Sequence, residues 1–206
     1  NKTPATLAET TTTLTNPETH SARPLLPLTA QERADIEAEV ASPAPVQEIW
    51  PLTPLQEGLL FHVFYDEGKA DPYVMQAPLA LNGALDKEAL RAAFQQLLNR
   101  HVALRAAFVG RRSGKPVQVI PAEVTLPWRE LDFTDTPDER TQKRRIDELL
   151  HTDRRQGFDP AAPPMMRVTL VRLGDERHAL VLTSHHVIWD GWSMAQSLTE
   201  VFELYA

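Results

Sequence analysis

The residues with chemistry in them stand together late in the chain. Ser184-His185-His186 is followed by Val187-Ile188-Trp189 and then Asp190-Gly191-Trp192-Ser193. The two histidines sit at the end of an apolar run, Ala179–Leu182, which reads as a strand buried on both faces. Four readings compete for this cluster. As a metal site it is poor: neighbouring strand residues point to opposite faces, so His185 and His186 cannot easily share one ion. As a nucleophilic triad, Ser184, His186 and Asp190 are the right types, but no Gly-x-Ser-x-Gly elbow is present. As core, a buried histidine bonded to backbone is common, and His185 taken singly fits that. As a general base, one histidine at the mouth of a buried strand can take or guide a proton from a nucleophile. Asp190 would then hold the loop by pairing with an arginine, and Gly191 would allow close backbone approach.

The elements that must position this cluster follow from periodicity. Thr53-Pro54-Leu55-Gln56 is a helix start, with Thr as N-cap, Pro in the first turn and Gln three residues on. That helix is expected to reach about Tyr65. Tyr73–Leu81 alternates as a strand and ends at Asn82-Gly83. Leu85, Ala89, Leu90, Ala93, Phe94, Leu97 and Leu98 keep helical spacing. Leu104–Val109 and Val117–Pro121 read as strands around a Gly110–Gly114 turn, and Leu126–Leu131 stays ambiguous. Pro137 opens a charged helix to about Arg154, whose cation run reads as a solvated face. Met166–Leu173 and His178–Ser184 form a hairpin across Gly174-Asp175-Glu176, and Ser193 can cap a last helix, Met194–Tyr205. The expected fold class is mixed α/β, a central mixed sheet flanked by helices.

Composition narrows the function. With 206 residues, the chain can bury a core without staples. It has no Cys, which removes thiol nucleophiles, disulfides and Cys-ligated metals. A net charge of −7 argues against non-specific binding to nucleic acid or anionic lipid. No apolar run approaches the roughly 20 residues of a membrane span, and the first residues lack the order of a signal peptide. Eight of the 17 prolines fall in the first 54 residues, and the first 20 are rich in Thr. Residues 1–28 therefore read as disordered or linker. Thr29-Ala-Gln-Glu32 is a capping box opening a short helix at about 30–40. The expected division is a linker over 1–48 and a globular part over 49–206.

His185-His186-x-x-x-Asp190-Gly191 resembles the HHxxxDG signature of condensation domains of nonribosomal peptide synthetases, members of the chloramphenicol acetyltransferase-like superfamily. Three further stretches resemble the same family in its order. They are Pro51–His62, Arg100-His101-Val-Ala-Leu-Arg105-Ala-Ala-Phe108, and Gly157-Phe158-Asp159 with Pro164–Arg167. The resemblance covers about 49–206. It implies amide bond formation: the amine of an acceptor aminoacyl thioester attacks a donor thioester. Both substrates would arrive on 4′-phosphopantetheine arms of separate carrier domains, and the chain itself would bind no cofactor and no metal. His186 matches the active histidine. Gly191 would offer a backbone N–H to the thioester oxygen, while His185, Asp190 and Arg105 would be structural, with Asp190 and Arg105 expected as a buried ion pair. Trp189, Trp192 and Ser193 would be candidates for lining the substrate tunnel.

The resemblance also implies partners. These are donor and acceptor peptidyl carrier domains, the C-terminal lobe of the same condensation domain, and neighbouring synthetase domains, in the cytoplasm and in secondary metabolism such as antibiotic or siderophore biosynthesis. The histidine pair argues against heterocyclisation members, and Leu55-Gln-Glu-Gly58 looks like peptide-forming ones. A full condensation domain has two lobes and about twice this length. The chain is thus expected to be the N-terminal lobe with its upstream linker and inactive alone. A carrier-docking module and a standalone chloramphenicol acetyltransferase-like enzyme are the alternatives.

Overall fold

The near-continuous apolar run that ends in the histidines is the middle of a sheet. In a computed structural model, which describes residues 26–65, 71–111, 114–136 and 138–206, this run is strand β7 (Arg177–His185). The preceding elements, in chain order, are α1 (Ala30–Glu39), β1 (Val46–Pro51), α2 (Pro54–Tyr65), β2 (Val74–Asn82) and α3 (Lys87–Arg100). A 3-10 turn (Val102–Arg105) leads to β3 (Ala107–Arg111), β4 (Gly114–Pro121) and β5 (Trp128–Asp132). Then come α4 (Glu139–Gln156), β6 (Met166–Arg172), β7 and α5 (Gly191–Tyr205). Residues 1–25 of the stretch expected as disordered or linker, Pro137 and the tip of the Gly110–Gly114 turn lie outside the described residues.

Strands β2, β7, β6 and β5 form a four-stranded sheet in that order. Pairing is antiparallel except between β5 and β6. That parallel pair needs a crossover, and α4 supplies it. Both faces of β7 are covered, as its composition requires. Leu180 and Leu182 join the main core with Leu90, Phe94 and Leu97 of α3. On the other face, Ala179 and Val171 meet Ile146 and Leu149 of α4. The thin apolar stripe of α4 is thus enough to cover one side of the sheet; Lys143 and Arg144 stay outward, while Arg145 lies over the Phe133 ring.

A second sheet, β1-β4-β3, is wholly antiparallel. Phe108 and Ile120 point into the main core. Ala107, Val109, Val117 and Val119 point the other way and are covered by Ile36 of α1 and by Val40, the residue that caps its C-terminus. The Thr29 capping box forms as expected: the Glu32 amide donates to Thr29 Oγ1 (3.2 Å), and the Thr29 amide donates to Glu32 Oε2 (2.9 Å).

Four details go beyond the sequence expectations or adjust them. The expected mixed sheet flanked by helices is present, and a second, antiparallel sheet stands beside it. Strand β1 has too few apolar residues to show an alternation; its pairing with β4 makes it a strand. Leu104 and Arg105 belong to the 3-10 turn, and the strand starts at Ala107. The ambiguous stretch is β5, paired in parallel with β6.

Candidate functional site

The chain leaves β7 at His185 and turns through 186–188 into α5. Three buried side chains, Val187, Ile188 and Trp189, seat this turn in the core. The sheet fixes its entry. Val74 is registered against His185, and the His186 amide donates to the Tyr73 carbonyl at 2.9 Å.

The two histidines take different partners, as strand alternation requires. His185 is fully buried. Its Nδ1 accepts the Val187 amide at 3.0 Å, so its ring proton sits on Nε2. Nε2 lies 2.8 Å from Asp71 Oδ2, within hydrogen-bond distance but off the line of the N–H. His186 is half-buried. Its Nδ1 lies 3.0 Å from the Trp189 carbonyl oxygen. A carbonyl only accepts, so Nδ1 carries the proton and Nε2 keeps its lone pair. That Nε2 has no protein partner among the described residues and is not closed off from solvent. One imidazole is therefore locked into the fold, and the other presents an acceptor nitrogen without a protein partner among the described residues.

Asp190 is the N-cap of α5. Its Oδ1 accepts the Ser193 amide at 2.8 Å, and the Met194 amide bonds its carbonyl. The Ser193 amide, then the Ser193 side chain, hold the Asp190 carboxyl below the usual carboxylate range. The expected helix start at Met194 with Ser193 as cap is thus corrected: the helix starts at Gly191 and Asp190 is its cap. Gly191 is exposed in the first turn, where amides have no carbonyl within their own helix.

The expected ion pair of Asp190 with Arg105 does not form: no contact within 4.0 Å joins them. Arg105 is buried and its donors are engaged elsewhere. It bonds the carbonyls of Leu98 (3.1 Å), Asn99 (2.7 Å) and Pro121 (3.2 Å), and Gln47 Oε1 (3.3 Å). The physical reason is that the last carbonyls of α3 need donors, and a planar guanidinium reaches several at once. Trp189 is also not an open-channel residue. It is 5% exposed, and its Nε1 donates to the buried Ser184 hydroxyl at 2.8 Å. Trp192, at 79% exposure, and Ser193 do face outward.

Sequence reasoning missed the support under the histidines. Asp71 lies in a polar stretch before β2, with no motif to mark it. Beneath His185, on the same face of the sheet, Asp153 of α4 meets Arg167 of β6 (2.7 Å) and accepts the Thr183 hydroxyl. Gln76 donates to Leu150 O, Asp153 Oδ2 and Thr183 Oγ1. Only the unusual polarity of Thr183-Ser184 within a buried strand hinted at this network. A groove of about 820 Å³ beside Ser42, Gln95, Asn99 and Glu123 contains none of the residues 184–193.

The fold and site together define a mixed α/β chain with one imidazole nitrogen left unpartnered among the described residues at the end of its central strand. The Condensation domain family matches residues 46–206, and the chain belongs to that family. It is 34% identical over 180 residues to a linear gramicidin synthase protein of Brevibacillus parabrevis, covering 87% of this chain and 2% of that protein. It is 33% identical over 161 residues to bacitracin synthase 1 of Bacillus licheniformis, covering 78% of this chain and 3% of that protein. Among solved structures, the SgcC5 protein of Streptomyces globisporus matches with a TM-score of 0.62 and 31% identity, over 76% of this chain and 36% of that one. The first condensation domain of the CDA synthetase shares the fold, with a TM-score of 0.67 and 23% identity, over 77% of this chain and 39% of that one. Among the described residues, no helix is long and apolar enough to cross a membrane.

Proposed function

We propose that the chain is the N-terminal lobe of an amide-forming condensation domain and that His186 is its reactive side chain. The observation that carries this reading is the 3.0 Å contact between His186 Nδ1 and the Trp189 carbonyl. It leaves Nε2 as an acceptor at an accessible position. In the reaction, the α-amino nitrogen of an acceptor aminoacyl thioester attacks the carbonyl carbon of a donor thioester. The new C–N bond forms, the C–S bond breaks, and the thiolate leaves with a proton. His186 Nε2 accepts a hydrogen bond from the attacking amine, which orients it and takes or relays its proton. The exposed amide of Gly191 faces the oxygen on which charge develops.

Carrier domains would deliver both thioesters on phosphopantetheine arms, so the lobe holds the reacting ends rather than a cofactor of its own. A second lobe, covering the open side of the turn, would complete the tunnel, and neighbouring synthetase domains would load the carriers in the cytoplasm. The test is turnover in a synthetase that contains these residues. His186→Ala should lower amide formation by about 10²–10⁴-fold with carrier binding retained. Unchanged turnover would remove His186 from the chemistry. The 206-residue chain by itself should show little or no transfer between two loaded carriers.

A further inference from the structure

The histidine turn is held from two sides by one carboxylate. Asp71 Oδ1 accepts the Tyr73 amide at 2.8 Å, and the Tyr73 carbonyl accepts the His186 amide at 2.9 Å. Asp71 Oδ2 lies 2.8 Å from His185 Nε2, and the opposite nitrogen of that ring accepts the Val187 amide at 3.0 Å. One oxygen thus fixes the backbone of His186 through β2. The other lies beside the His185 Nε2–H, off its line, where its negative charge favours the proton on Nε2 while Nδ1 accepts from the next residue of the turn. The Tyr73 ring packs edge-on against His185, with centroids 6.3 Å apart, and closes this corner. With the backbone amides of His186 and Val187 both held, the turn places the His186 ring beside the Trp189 carbonyl.

The geometry points to Asp71 as a positioning residue for His186: it sets the turn that selects the Nδ1–H tautomer and so presents the Nε2 lone pair. This inference rests on His186 being the reactive group. The dependence is physical. If Asp71 is removed, the His185 proton can move to Nδ1, which then repels the Val187 amide. The 186–188 turn loosens, and the contact between His186 and Trp189 no longer dominates.

The experiment uses imidazole ¹⁵N NMR on the 206-residue chain at mildly alkaline pH. The His186 signals are those absent from a His186→Gln sample, which separates them from the other six histidines of the seven. The native chain should show a single His186 tautomer, with a protonated Nδ1 and a pyridine-like Nε2. Asp71→Ala should give a mixture of tautomers. Asp71→Asn keeps an acceptor for Tyr73 but loses the charge facing His185, and should give a smaller shift in the same direction. If the alanine variant does not fold, the asparagine variant decides. A native His186 pattern in every folded variant overturns the inference. In a synthetase containing these residues, both substitutions should lower kcat about tenfold and leave KM unchanged. Normal turnover in both, with His186→Ala dead, overturns the positioning role alone. Normal turnover in His186→Ala overturns the catalytic reading, while the NMR pattern still decides what Asp71 does to the ring.

Discussion

The indole N–H of Trp189 donates to the hydroxyl of Ser184 at 2.8 Å, and both side chains are buried. This bond ties the last turn before α5 back to the strand that enters it. The Trp189 carbonyl is the group that meets His186 Nδ1, so the bolt and the imidazole's partner belong to one residue. Trp189→Phe keeps most of the packing but leaves the Ser184 hydroxyl without its donor. A loss of about 1–3 kcal/mol in denaturant unfolding is expected. Adding Ser184→Ala should cost less than the sum of the two single changes, since the pair shares one interaction.

Arg105 and Asp190 act separately, which a double substitution can check. Arg105→Met leaves three backbone carbonyls at the end of α3 and on β4 without a donor, and should destabilise the chain by about 3 kcal/mol. Arg105→Lys should rescue only part of this, because an ammonium lacks the planar fork. Asp190→Ala should abolish hydrogen-exchange protection of the Ser193 amide, while Asp190→Asn, an equally good cap, should keep it. Combining Arg105→Met with Asp190→Ala should give additive losses. A clear coupling between them would restore the ion pair that the structure does not show.

What the sequence made legible was the part set by periodicity and by local caps. The 3.6-residue spacing through Leu90, Phe94 and Leu97 marks α3, and Thr53 with Gln56 marks the start of α2 by a capping bond at each end. The histidine pair was legible as a pair on opposite faces, because alternation along a strand is a local rule. Side-chain partners were not. The expected pairing of Arg105 with Asp190 rests on Arg100-His101-x-x-Leu104-Arg105 being the arginine motif shared with the family in this part of the chain. The stronger local demand came from carbonyls at a helix end, which no residue letter displays. Asp190 sits one residue before a helix, and that position made it a cap. Asp71 reaches His185 only because β2 pairs with β7, a long-range register that single-sequence spacing does not contain.

The buried pair of Asp153 and Arg167 sets an acid limit on stability. Burial pushes the Asp153 carboxyl up, but the hydrogen bonds from Arg167 and Thr183, the Arg167 charge and Gln76 outweigh it and hold it below the usual range. A depressed folded-state value means the contribution is present above the unfolded-state value and fades as pH falls through the folded one. The native chain should therefore lose stability steeply below the ordinary carboxylate range, and Asp153→Asn should show a shallower slope there. Arg167→Ala strands a carboxylate that is mostly buried and should cost about 3–5 kcal/mol at neutral pH. Chemical denaturation at a series of pH values measures both effects.

Trp192 separates folding from function more cleanly than any histidine does. Its ring is 79% exposed in the first turn of α5, two residues past the Asp190 cap, while Trp189 is 5% exposed. A large apolar side chain held in water by a capped helix contributes almost nothing to the fold of this chain. Trp192→Ala should leave the unfolding midpoint unchanged, with a difference within about 0.5 kcal/mol. Acrylamide should quench Trp192 fluorescence readily and Trp189 hardly at all, which tests the two environments directly. If the ring contacts the arriving thioester arm, as its place beside Gly191 suggests, the same substitution in a synthetase should raise KM several-fold for the carrier-borne substrate and leave kcat largely intact. An unchanged KM would assign the exposed indole to some other contact.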